Sequence, residues 1–290
     1  MNIFCIKAMT YKLEHLPKLS EFTGILLSCF LSILFVFSLY IFHKSNDRNN
    51  PIVIKKRFQS VFSTCLISYI ILYLLIPSSS EKTLIFLQLI GISNLGITYF
   101  IKATIPLVLT MILFFGPVIM ELLEEVYDSF DISFNLYSLR DFVVGPAVEE
   151  IVFRSVICPI LFFSGFSSKS IIIFSPFLFG FAHIHHAFTS SGDILVKVIR
   201  CLIQIAYTSI FGMFTAFVFF RTGNILACIL SHSFCNIMGL PKFDQIFSHK
   251  FNYVLMATFV IGLVGFYLLI FPMTDPIYFD SIYYILENNK

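Results

Sequence analysis

The chain has 290 residues, of which 58% are hydrophobic and 12% are charged, and its mean hydropathy is +0.89. Because soluble domains carry about 25% charged residues, this composition excludes an ordinary soluble domain and indicates a protein built for lipid. The net charge of +2 and the lack of a basic tract or a nucleic-acid-binding motif argue against nucleic acid as a partner.

Long apolar runs predict an all-α, polytopic membrane protein with about eight transmembrane helices and residues 1–290 in a single multi-span domain. The first run, 22–42, can cross a bilayer and lacks the small-residue cleavage site of a secretory signal, so we expect a retained span. A tight hairpin is expected near 102–106. Further runs lie at about 58–77, 83–101, 103–123, 142–163, 170–189, 194–220, 223–239 and 252–271.

The loop after the first run is the most basic part of the chain and predicts its orientation. The positive-inside rule places such a loop in the cytosol and the N-terminus on the opposite side. Its cations stand against Asp47 alone and are Lys44, Arg48, Lys55, Lys56 and Arg57.

Glu149, Glu150 and Arg154 lie inside an otherwise apolar run, which makes them the first candidates for a functional site. A charged side chain at the bilayer centre costs several kcal/mol, from about 2.5 upward, and intramembrane ionisable residues are functional by default. Glu150 and Arg154 are spaced i,i+4, so they share a helix face and can pair. Glu149 lies about 100° around the helix and has no such local partner, so it is the candidate general base.

Polar residues of the later runs could join Glu149 in one pocket. His183 lies near the end of its apolar run, while His232 and Asn236 are spaced i,i+4 on one face of another. Polar residues inside a membrane turn toward the protein interior and find one another. We therefore expect a polar catalytic cavity between the late helices, within a core at about 142–241.

Three catalytic chemistries could use these residues. Glu149 and His183 could activate a water that attacks an amide, with His232 and Asn236 stabilising the oxyanion. Alternatively, His183, His232 and a Glu could bind zinc, although the HExxH signature is absent. A thiol protease using Cys235 is disfavoured, because a helix would aim that thiol away from the face of His232 and Asn236.

The competing class is a non-enzymatic transporter or scaffold in which Glu149 and the histidines form a proton or ion path. Transporters commonly show inverted repeats and paired broken helices, and the sequence displays neither of these features. The alternative stays open at this point.

Three ordered motifs carry a resemblance to a known family. The chain resembles the eukaryotic branch of the CaaX prenyl protease 2 family, the glutamate-type Ras-converting endopeptidases of the CPBP intramembrane protease group. The basic loop and the residues around the motifs are also similar to that branch. The motifs are EExxxR, from Glu149 and Glu150 to Arg154, FxxxH, from Phe179 to His183, and HxxxN, from His232 to Asn236.

The resemblance implies a multi-pass enzyme of the endoplasmic reticulum membrane whose active site opens to the cytosol. Its substrates would be proteins prenylated on the CaaX cysteine, Ras-like GTPases among them, from which it removes the C-terminal aaX tripeptide. By the same resemblance, Glu149 with His183 activates the water and His232 with Asn236 forms the oxyanion hole. Glu150 and Arg154 would be a supporting pair, and no metal or other cofactor is expected.

Overall fold

The structure, a computed structural model, describes residues 17–41, 49–93, 95–123, 135–182 and 193–288. Within these ranges all regular structure is helical, so the predicted all-α class is confirmed. In chain order the helices are α1 Glu21–Ile41, α2 Pro51–Leu75, α3 Lys82–Leu89, α4 Ile97–Leu113, α5 Phe115–Leu123, α6 over 136–163, α7 Ser168–Ala182, α8 Ile194–Thr222, α9 Ile225–Met238, α10 Phe243–Ile246, α11 Asn252–Met273, α12 Pro276–Phe279 and α13 Ile282–Asn288.

The long apolar helices confirm a polytopic membrane protein. Among the described residues, α1, α2, α8 and α11 are long and apolar enough to cross a bilayer. Helices α4 and α5 meet at a bend of 63° and make a fifth candidate if they are one broken span. Helices α7 and α9 are apolar but shorter, and they carry residues of the FxxxH and HxxxN motifs.

The chain turns at a different place from the hairpin predicted near 102–106. Helix α4 continues through Lys102 and Pro106, so that hairpin is wrong. The turn comes earlier, at Gly91, whose φ of +84° is a conformation that side chains with a Cβ rarely adopt. The helix then breaks at Phe114, shortly before Pro117, which lacks an N–H and is best tolerated in the first turn of α5.

Helix α6 is the centre of the fold. It packs against α1, α2, α7, α8 and α9, and every residue from Val152 to Phe163 is buried. Polar side chains also hold it in place, since the Ser155 hydroxyl donates to the Ile90 carbonyl at 2.6 Å and the Cys65 thiol to the Val148 carbonyl at 3.8 Å. The segment that bears the acidic pair is therefore held on several sides.

The start of α9 is anchored to the turn at Gly91. The Ile225 N–H donates to the Gly91 carbonyl at 3.1 Å, and the Tyr99 hydroxyl donates to the same oxygen at 3.0 Å. The Asn224 amide donates to the Tyr99 carbonyl and accepts from the Ala227 N–H, both at 3.1 Å, so it also caps α9. This anchor sets the height of His232 two turns further along.

The C-terminal segment closes the end of the molecule at which α6 finishes. Tyr283 of α13 is fully buried among Phe162, Phe219 and Phe220, and its hydroxyl donates to the Leu89 carbonyl. Burial raises the pKa of the Tyr283 phenol well above its usual value. The phenol therefore stays protonated and remains a donor.

Candidate active site

Two π-helical segments divide α6 and frame the acidic pair. Arg140–Val144 is the first and Ile151–Ile157 the second, with the α-helical segment Gly145–Glu150 between them. A π turn widens the helix by one residue, shifts the faces of the residues beyond it, and is frequent at functional sites. Hydropathy over 142–163 predicts one regular apolar span and gives no sign of either π segment.

The predicted pairing of Glu150 with Arg154 is present. Nε of Arg154 lies 3.2 Å from Oε2 of Glu150, and the two side chains are 2% and 0% exposed. The guanidinium also stacks on the ring of Phe179, at 4.6 Å from the centroid. Gly212 of α8 leaves room for it, since a Cβ at that position would lie 3.1 Å from Nη2 of Arg154.

His232 reaches both carboxylates from α9. Its Nδ1 lies 2.8 Å from Oε1 of Glu150, and its Nε2 lies 3.7 Å from Oε2 of Glu149. The imidazole is buried, with the ring of Phe211 at 4.7 Å and the ring of Phe179 at 6.1 Å. Residues that are 82 positions apart thus form one polar cluster within an aromatic wall.

The two carboxylates have different environments, as their spacing indicated. The Glu150 side chain is fully buried and occupied by Arg154 and His232, whereas the Glu149 side chain is 25% exposed. Glu149 is therefore the carboxylate that a water molecule can reach.

Asn236 lies one turn after His232, nearer the open end of the site. Its Nδ2 donates to the backbone carbonyl of Asp141 at 3.0 Å. That carbonyl belongs to the first π segment, in which the Gly145 N–H donates to Arg140 instead. The next residue in the π register is Pro146, which has no N–H to offer. The carbonyl of Asp141 can therefore serve a side chain of α9.

The open end of the site lies beside the start of α2. Arg140 makes a two-point contact with the Asp141 carboxylate, at 2.7 and 2.8 Å, and its Nη1 donates to Oδ1 of Asn49 at 3.2 Å. Asn49 lies within the basic segment that predicts the cytosolic side, next to Arg48 and before Lys55, Lys56 and Arg57 in the first two turns of α2. Asn236, Asp141 and the start of α2 are therefore on one side of the molecule.

His183 lies outside the described residues, so its predicted partnership with Glu149 stays a prediction. Helix α7, which ends at Ala182, brings the first residue of the same motif, Phe179, against both Arg154 and His232. The zinc alternative also involves His183. Over the described ranges, no group of three His, Cys, Asp or Glu residues is arranged to hold a metal ion.

Two contributors to the site, Asp141 and Phe211, are not among the residues that the sequence predicts. Asp141 acts through its backbone, so its residue type carried no signal. Phe211 lies in a helix rich in phenylalanine, where nothing distinguishes it from residues that face lipid. The signal that could have found Phe211 is its place one residue before Gly212, the glycine that makes room for Arg154.

Comparison with known proteins identifies the family. A family model described as type II CAAX prenyl endopeptidase Rce1-like matches residues 131–238, the range that contains the three motifs. The chain is also 33% identical to the human protein named CAAX prenyl protease 2 over 279 residues, which cover 87% of this chain and 81% of the human protein. The chain belongs to the CAAX prenyl protease 2 family.

Other members of the CAAX prenyl protease 2 family match over similar lengths. The rat protein of that name is 31% identical over 276 residues, or 88% of this chain and 81% of its own length. The probable CAAX prenyl protease 2 of Schizosaccharomyces pombe is 29% identical over 259 residues, or 84% and 91%. No solved structure gives a significant match. The family resemblance found in the sequence motifs is thus confirmed.

Proposed function

We propose that this chain is an intramembrane endopeptidase that removes the C-terminal aaX tripeptide from prenylated CaaX proteins, Ras-like GTPases among them. One observation supports it above all: two carboxylates and His232 meet in an apolar interior, and Glu149 remains open to water. The names of the similar human and rat proteins describe the same class of reaction.

Glu149 is proposed to activate the hydrolytic water together with His183. A carboxylate base within hydrogen-bond reach of water removes a proton as the water attacks the scissile carbonyl, and general-base catalysis of this kind contributes about 10²–10⁴-fold. Glu149 faces Nε2 of His232 at 3.7 Å. The attacked carbonyl would lie near this gap, so that Glu149 activates the water that attacks its carbon while His232 donates to its oxygen.

His232 and Asn236 are proposed as the oxyanion donors. Asn236 uses one N–H for the Asp141 carbonyl, which leaves the second for the substrate. His232 must carry a proton on Nε2, while its Nδ1 contacts Glu150. Either His232 is an imidazolium, or Glu150 holds the proton and donates it to Nδ1. In both cases the pair of Glu150 and His232 carries two protons. A Glu150 carboxylate beside a neutral His232 protonated on Nδ1 would carry only one.

Glu150 and Arg154 are proposed to position the site without touching the substrate. Oε2 of Glu150 contacts Arg154 while Oε1 contacts His232, so the guanidinium holds the carboxylate in the orientation that fixes the imidazole. An ion pair of this kind in a dry interior is costly to break on one side only, because the remaining charge loses its partner.

The proposed location is the endoplasmic reticulum membrane, with the site open to the cytosol. The hydrogen bond from Arg140 to Asn49 supports this orientation, because it joins the open end of the site to the basic side of the protein. Prenylated proteins would approach from that side, since a prenyl chain anchors them to the membrane surface.

Cleavage of a farnesylated CaaX peptide by membranes that contain wild type or Glu149→Gln tests the proposal. We expect tripeptide release by wild type and a loss of at least about 10²-fold in the variant, with equal amounts of protein in the membrane. Full activity of Glu149→Gln would overturn the assignment of the base. A flux of ions or protons into proteoliposomes that depends on Glu149, without any cleavage, would support the transporter reading instead.

A further inference from the structure

A row of phenylalanine rings leads away from His232. The Phe211 ring lies 4.7 Å from the imidazole, the Phe214 ring 6.5 Å from Phe211, and the Phe266 ring 5.6 Å from Phe214. All three phenylalanines are half-buried. The row therefore begins on a residue of the proposed catalytic machinery and reaches the outer surface of the helix bundle.

The row lies in a seam between α8 and α11. The backbone of α8 packs mainly on α7 and α9, while α11 packs on α4 and α5. Side chains bridge the seam itself, through the ring pairs Phe214 with Phe266 and Phe217 with Phe271, each 5.6 Å apart. Such a seam can part by rotation of rings and leave the helix backbones in place.

The direction of the row fits a lipid tail. Helix α9 runs from its anchor at Asn224 to the open end of the site at Asn236, and α8 ends beside that anchor. Phe214 and Phe217 follow Phe211 along α8, so they lie progressively further from the open end. A chain that leaves His232 along the row therefore runs into the apolar depth of the bilayer.

The side chain of Arg221 closes the far end of the seam. The guanidinium of Arg221 lies 5.3 Å from the centroids of both Phe217 and Phe271. Hydrogen bonds to the carbonyls of Phe271 and Thr274, both at 3.0 Å, hold it there. An apolar ligand in the seam would thus have a limited length.

We propose that this seam, formed by Phe211, Phe214 and Phe217 of α8 with Phe266 and Phe271 of α11, binds the prenyl chain of the substrate. The inference rests on the proposed function, because it assumes a prenylated peptide at His232. The aromatic rings supply large apolar faces to the isoprene units. The scissile bond then lies at His232, and the tripeptide points to Asn236 and the open end.

Kinetics of Phe214→Ala and Phe266→Ala on a farnesylated CaaX peptide in proteoliposomes test the seam. We expect KM to rise about tenfold in each variant with kcat nearly unchanged, because the rings bind the chain and do not touch the reacting atoms. Phe174→Ala is the matched control, since Phe174 of α7 is 66% exposed on the lipid-facing surface. KM equal to the control in both seam variants would overturn the proposal.

Labelling separates this test from a failure of folding or of the proposed function. A peptide with a diazirine on its prenyl chain is photolysed with Glu149→Gln, which keeps the seam intact, and the labelled residues are mapped. Label on the seam residues of α8 and α11 supports the proposal, and label confined to other helices overturns it. If wild type cleaves the farnesylated peptide, but the label lies outside the seam and KM of the seam variants equals that of the control, only the proposal about the seam is wrong. If wild type does not cleave at all, the proposed function fails.

Discussion

The side chain of Asn236 donates to the backbone carbonyl of Asp141 at 3.0 Å, across the interface between α9 and the first π segment of α6. The donor and the acceptor are 95 positions apart, and the acceptor is a backbone oxygen, so the side chain of Asp141 takes no part in the contact. The contact fixes which end of the Asn236 amide carries the N–H groups and where the second of them points. A backbone irregularity thus orients a proposed oxyanion donor.

Pro146→Ala should weaken this orientation. An alanine restores an N–H that, in the π register, can compete with Asn236 for the Asp141 carbonyl. We expect kcat to fall about tenfold, a part of the 10²–10³-fold that a whole oxyanion donor contributes, with KM nearly unchanged. Pro276→Ala, at the start of the remote helix α12, is the matched control. Wild-type kcat in Pro146→Ala would show that the carbonyl does not position Asn236.

Glu150→Gln separates two roles of His232. A glutamine can donate its amide N–H to Nδ1 of His232 and still accept from Arg154 through its oxygen, which leaves a neutral imidazole with a proton on Nε2. If His232 is an oxyanion donor, Glu150→Gln should keep most of the activity, whereas Glu150→Ala should lose about 10²-fold.

The opposite result would contradict the oxyanion role of His232. If His232 is instead a general base, it needs Nε2 unprotonated, and Glu150→Gln should then be about as inactive as Glu150→Ala. The measurement is kcat on a farnesylated peptide, with the thermal unfolding midpoint of each variant as the control for folding.

Gly212→Ala should disturb the buried ion pair of Glu150 and Arg154 from the side of α8. The added Cβ would lie 2.8 Å from Cβ of Pro176 and 3.1 Å from Nη2 of Arg154, so the guanidinium must move. Overpacking of this kind costs about 1–3 kcal/mol of stability, and the shift of Glu150 should lower kcat as well. Gly265→Ala is the control, because its Cβ meets only a methyl group of Ile112. Equal unfolding midpoints and equal kcat in the two variants would refute the packing argument.

Chelation should leave the activity intact. Both oxygens of Glu150 are engaged, by His232 and by Arg154, and the proposed activation of water by Glu149 and His183 needs no metal ion. We expect turnover to persist after exhaustive chelation, with metal content measured in parallel. Loss of turnover that returns on addition of stoichiometric zinc would instead favour the metalloprotease.

The fold was predictable where hydropathy decides it and unpredictable where the chain bends. Apolar runs over residues 22–42 and 252–271 gave spans that agree closely with α1 and α11. The runs at 83–101 and 103–123 were divided wrongly, because Lys102 suggested a boundary. Apolar runs report burial in lipid or protein and contain little information about the direction of the backbone. The positive φ of Gly91 and the break at Phe114 are decided by the helices packed around them.

From the sequence alone came the membrane class, the family, the pairing of Glu150 with Arg154 and the choice of Glu149 as the proposed base. These follow from residue type, i,i+4 spacing and local motifs, which a linear chain displays. The tertiary structure alone decided that His232 contacts both carboxylates, that Asn236 takes a carbonyl of Asp141, and that Phe211 walls the site. Each of these depends on the relative height and rotation of α6, α8 and α9. Packing, two π segments and the anchor at Gly91 set those quantities, and no local pattern in the sequence encodes them.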